Sequence, residues 1–166
     1  MLDPKIEGEL KKAFRQNVII YIVMIASMFL YAGFVELMKG SAPQAGQVIN
    51  LSGSDANMFR NVLIVVALLE YFIIRFIRWK VLSKKTILTA MSNTKSPFSP
   101  PVRQLLSLFV VTYTLCYTIV IYGFVMFFLS GVTTNFYIFM VIALFFFALY
   151  RLRYSQWEEF MESRGQ

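Results

Sequence analysis

Four long apolar runs, at residues 18–38, 61–77, 105–129 and 133–150, leave this chain few folds to choose from. A helix needs about 20 mostly apolar residues to cross roughly 30 Å of hydrocarbon at a rise of 1.5 Å per residue. Lipid offers no hydrogen-bond partners, so each run must satisfy its own backbone, and the helix does this within one segment. Charge inside the runs is sparse: Glu36 in the first, Glu70 and Arg75 in the second, none in the third or fourth. The first run is too long for the apolar core of a cleaved leader and is read as a span. The expected fold is an all-α integral membrane domain over residues 1–166, a four-transmembrane-helix bundle built as two tandem helical hairpins.

Orientation follows from Lys and Arg. Fourteen of the 16 lie in the N-terminal tail, in the stretch from Arg75 through the middle loop at 80–103, or after residue 150. Only Lys39 and Arg60 lie in the other loops. The inside-positive bias then predicts both termini in the cytoplasm of a multi-pass protein of the cell (inner or plasma) membrane. The net charge of +7 has the same cause and implies no nucleic-acid partner. Hydrophobic residues make up 58% of the chain and charged residues 15%, a balance that a soluble fold could not hide.

Residues 1–16 read as a short helix on the inner surface, with Leu10, Ala13, Phe14 and Asn17 on one side. Ser54 or Asp55 can cap the second span. The middle loop continues helically over 80–92 and is then broken at 96–101, where Pro100 and Pro101 suit the first turn of the third span. The short link at 130–135 predicts a tight antiparallel hairpin. The fourth helix is expected to run on past Tyr150, with Tyr154 and Trp157 as headgroup-level anchors.

The two halves resemble each other. Gly33-Phe34-Val35 matches Gly123-Phe124-Val125, Val65-Val66-Ala67-Leu68 matches Val141-Ile142-Ala143-Leu144, and Arg75 and Arg151 keep the same offset. Both halves start inside, so a duplication would be a parallel repeat. The stretch Ile121-Tyr122-Gly123-Phe124-Val125, followed by Phe127-Phe128-Leu129, resembles a helix of the rotary-ATPase proteolipids, the c-type ring subunits. In that family a carboxylate stands a little more than one turn before the Tyr-Gly pair and carries the ion. Here Tyr117 holds that place, and 8 glycines in the whole chain cannot build the family's glycine-rich helices. The resemblance implies two hairpins and transfers no ion-carrying residue.

No histidine is present, and Cys116 is the one cysteine, inside an apolar run. This removes the commonest metal ligand and proton shuttle, and any multi-cysteine site. No nucleophile–base pair, phosphate loop or dinucleotide fingerprint appears, so no enzyme, metal or cofactor is expected.

Glu70 is the one deeply placed carboxylate. A charge at that depth costs about 3 kcal/mol on insertion scales, so it needs a partner, a wet cavity or a proton. It is either an ion or proton site or a structural carboxylate paired with a cation such as Arg78 or a group on another chain. Glu36 and Lys39 form an ordinary surface pair. Arg75, Arg78, Lys80, Lys84 and Lys85 form a run that could contact anionic lipid or an acidic partner. Gly33, Gly123, Thr114 and Thr118 are candidates for helix packing, with Tyr113, Tyr117 and Tyr122 giving the third span a semi-polar side. The expected function is a non-catalytic subunit or assembly partner in a membrane complex or homo-oligomer. The alternatives are a small channel or transporter using Glu70, and an anionic-lipid-binding scaffold.

Overall fold

A computed structural model describes residues 4–41, 53–83, 98–151 and 153–165. They form five helices: α1 (Pro4–Ser41), α2 (Gly53–Ser83), α3 (Pro100–Ser130), α4 (Thr133–Leu149) and α5 (Tyr154–Gly165). Two of these are long and apolar enough to cross a membrane, α1 over Ile6–Lys39 and α3 over Pro100–Ser130. A third span results if α4 and α5, bent by 48° at the break between them, count as one. Taken alone, α4 has 17 residues. The apolar run of α2 is interrupted by Glu70, Arg75 and Arg78. The described residues are thus all-helical, and their two to three candidate spans make the chain a membrane protein in contact with the bilayer.

The α3–α4 hairpin is the centre. Pro100 and Pro101 start α3, because proline fits the first turn, where no intrahelical N–H is needed. The N–H of Ser99, just before it, is donated to Glu9 of α1 at 2.8 Å. Gly131 ends α3 with φ 68°, a left-handed conformation that glycine adopts without Cβ strain, and its N–H closes onto Phe127 O at 2.8 Å. Only Gly131 and Val132 separate α3 from α4, and Ser130 Oγ accepts from Val132 N–H and Asn135 Nδ2 to fasten the turn. One turn-pair deeper, Gly123 lets the two helices touch. A Cβ there would lie 2.8 Å from Phe139 Cβ and 3.0 Å from Phe136 O.

α1 and α2 each pack on α3 and α4, on different sides of the hairpin, and have no extended contact with each other. Tyr21 packs with tilted rings against Tyr113 and Phe147, and Tyr31 does the same against Phe124. Within lipid such contacts are held by close packing and hydrogen bonds, since tails are as apolar as side chains. The most apolar stretch of α1 buries only 11% of its residues against 44% in α3, which makes α1 peripheral. Gly33, the sequence counterpart of Gly123, is exposed and has nothing within 4 Å of its Cβ position.

Two expectations at the basic end are corrected. The N-terminal segment is not a separate surface helix but the start of α1, 38 residues and so about 57 Å long. No proline or glycine interrupts residues 9–32, so nothing breaks the helix before the span begins. The expected side is the one that packs: Leu10, Ala13 and Asn17 are fully buried. Trp157 and Tyr154 are not headgroup anchors on a prolonged fourth helix. That helix stops at Leu149, and α5 turns onto α1 and α3, with Trp157 fully buried, stacked on Phe109 at 5.4 Å and edge-on to Phe14 at 5.5 Å. Burying an indole and two rings outweighs keeping the helix straight.

Candidate functional site

Buried positions on α2 are Ala56, Ala67, Glu70, Ile74 and Val81. Their spacings of eleven, three, four and seven keep to one helical stripe, so Glu70 occupies a slot that the pattern reserves for an apolar residue. Only 7% of it is exposed. Opposite, Thr118 and Tyr122 are one turn apart on α3 and present their hydroxyls to the same carboxylate oxygen. Tyr122 Oη donates to Glu70 Oε1 at 2.6 Å and Thr118 Oγ1 lies 2.9 Å from it. Thr118 Oγ1 is also 2.7 Å from Leu115 O. A hydroxyl has a single proton to give, so Thr118 divides it between two acceptors and Tyr122 is the firm donor. Glu70 Oε2 is buried and without a partner.

This corrects Arg78 as the expected cation partner. Arg78 is eight residues from Glu70, about 12 Å along the helix axis, and Glu70 is held by α3 hydroxyls instead. Arg75 is exposed and donates to Tyr71 Oη at 3.3 Å. Lys80 is exposed. Arg78 turns inward, its Cζ 5.2 Å from the Phe109 ring centre and 5.1 Å from that of Tyr150. Lys84 and Lys85 lie outside the described residues. Thr114 is exposed and donates to its own backbone at Val110 O, 2.9 Å away. Of the four packing candidates the fold brings Gly123 and Thr118 into helix contacts, and it leaves Gly33 and Thr114 on the outside.

Further ties join the flanking helices to the hairpin. Ser27 Oγ and Tyr117 Oη meet at 3.0 Å. Tyr137 donates to Glu36 Oε1 at 2.6 Å, and Lys39 lies 3.9 Å from the other oxygen. Arg60 reaches Asn135 Oδ1 at 3.4 Å. Cys116 is buried and free. Among the described residues no group of three His, Cys, Asp or Glu could hold a metal ion. Neither the cavity beside Arg78 nor the groove on the outer half of α2 reaches Glu70.

The site is therefore a carboxylate clamped between two helices. Tyr122 was legible as part of the semi-polar side of the third span. Which helix that side meets was not. No protein-family model, curated protein or solved structure matches the chain.

Tyr122→Phe removes the firm donor and leaves Glu70 with a shared one. Hydrogen bonds between membrane helices average about 0.6 kcal/mol and reach about 1.7 kcal/mol. A buried carboxylate losing its donor belongs at the upper end. The expected loss is about 1.5 kcal/mol in reversible unfolding in mixed micelles, and Glu70→Gln/Tyr122→Phe should recover part of it in a double-mutant cycle. Equal additivity of the two changes would show that the pair is not coupled.

Proposed function

We propose that this chain is a non-catalytic subunit or assembly partner of a membrane complex or homo-oligomer, crossing the cell membrane four times with both termini in the cytoplasm. The observation that carries the assembly reading is on the outer half of α2. Asn57 and Asn61 are exposed, one turn apart, within a groove shared with Met58, Val62 and Val65. Amides facing outward from an apolar helix are poorly served by lipid tails and well served by the backbone or side chains of another helix. Inside the chain, polarity is used for ties between helices, as at Glu70.

The four-span reading is supported by the alternation of helix ends. Glu9 meets Ser99 and Phe14 meets Trp157 at one end, while Glu36 meets Tyr137 and Arg60 meets Asn135 at the other. The first end is the one rich in Lys and Arg, as an inside-positive cytoplasmic face requires. Purification in a gentle detergent should recover the chain with other subunits or as a defined homo-oligomer, and Asn57→Leu/Asn61→Leu should release it. Recovery of the parent chain solely as a monomer overturns the reading.

A second reading is favoured by the orphaned Glu70 Oε2: a small channel or transporter in which this oxygen binds an ion or proton. It expects ion flux in reconstituted vesicles that Glu70→Gln abolishes while the protein still inserts. The assembly reading expects no flux from the parent chain alone.

A further inference from the structure

A cavity of about 360 Å³ opens between α2, α3 and α5 at the basic end of the bundle. Its walls are apolar, built by Leu105, Leu108, Phe109 and Phe160, all buried. Gln156 and Glu159, both exposed, stand at its rim, and Arg78 of α2 completes the lining.

Arg78 is out of place in such walls. Its guanidinium lies against the rings of Phe109 and Tyr150, a cation–π arrangement that serves the faces of the group. It does not serve the N–H fork, which has five donors in the plane. Nη1 is buried and has no hydrogen-bond partner. Among the described residues no carboxylate lies within 4 Å of Arg78. A buried cationic donor without an acceptor is costly, and an anionic oxygen within its reach would remove that cost. Glu159 is the one lining group that opposes an anion. It sits at the solvent-exposed rim, where salt and water screen it, whereas Arg78 acts from the half-buried interior.

The geometry points to a site for an anionic membrane lipid: the headgroup phosphate accepts from Arg78, and the acyl chain lies along Leu105, Leu108 and Phe160. The apolar walls favour a lipid-borne phosphate over a free one, which would leave them unfilled. The placement at the positively charged end puts the cavity where anionic headgroups gather. Arg75 and Lys80 are exposed on the same helix and do not line the cavity.

Trp157 reports on the site, because it stacks on the Phe109 ring that Arg78 also contacts. In the full chain with Trp79→Phe, phosphatidic acid with brominated acyl chains should quench Trp157 in detergent micelles. Phosphatidylcholine with the same chains should do so about tenfold more weakly. Arg78→Gln should lower the apparent affinity for phosphatidic acid about tenfold, and Arg75→Gln should leave it unchanged. Leu108→Phe fills the cavity without touching the charge and should reduce quenching while the helical circular dichroism is kept. That second variant decides the matter if Arg78→Gln fails to fold. Equal quenching by both lipids, or undiminished quenching after either Arg78→Gln or Leu108→Phe, overturns the site. Displacement of the lipid by inorganic phosphate at equal concentration overturns the lipid assignment in favour of a free anion.

Discussion

Trp157→Ala should cost about 3–5 kcal/mol, the range for deleting a large aromatic from a packed core. Trp157 has no exposed surface and is held between Phe109 of α3 and Phe14 of α1. Its loss opens the contact that fixes α5. The expected readout is rapid proteolysis of the C-terminal helix at conditions where the parent resists, with the helical signal of α1, α3 and α4 retained. Because the indole N–H has no partner in the folded chain, the loss comes from packing and not from a hydrogen bond. Trp157→Phe should therefore restore most of the stability. Parent-like protease resistance in Trp157→Ala would mean that α5 is held by something other than this stack.

Gly123→Leu should separate the α3–α4 hairpin. The atoms nearest a Cβ at this position are Phe139 Cβ, Phe136 O and Phe136 Cα, none of which can swing aside as the end of a flexible side chain would. Even Gly123→Ala meets a 2.8 Å contact, and overpacking of this kind costs about 1–3 kcal/mol. Alanine also gains about 1 kcal/mol over glycine in helix propensity, so the net loss for alanine is smaller and that for leucine is the larger. Gly33 provides the control. With nothing within 4 Å of its Cβ position, Gly33→Ala keeps the propensity gain and should be neutral or stabilising. Unfolding of the three variants in mixed micelles should rank Gly33→Ala above Gly123→Ala above Gly123→Leu. Equal effects at the two glycines would restore the symmetry that the sequence match suggests.

That pair of glycines shows how sequence likeness and packing can part. Gly33-Phe34-Val35 and Gly123-Phe124-Val125 read alike, but α1 is peripheral and α3 is central. A tripeptide cannot report which of its helices another backbone will cross. Tyr154 and Trp157 make the same point. Their composition suits a headgroup belt, and only the turn of α5 onto Phe14 and Phe109 sends Trp157 inward. The basic run divides for geometric reasons: three positions of helix rotate Arg78 away from Arg75, enough for one to meet aromatic rings and the other to stay exposed.

What the sequence determined alone is local or compositional. Apolar runs at spanning length forced helices, the paired prolines began α3, the short link at 130–135 closed the hairpin after it, and the Lys and Arg distribution set one end apart. These signals lie within a few residues or sum over many, so no partner is needed to read them. The surroundings of Glu70 were decided by tertiary structure. Its depth in the second run was visible, but its hydroxyl partners stand 48 and 52 residues away on α3, and the sequence pointed instead to a cation such as Arg78 or a group on another chain. Helical periodicity says which way a side chain points from its own axis. What it points at depends on which face of which neighbour packs there, and for this carboxylate the neighbour is the semi-polar face of α3.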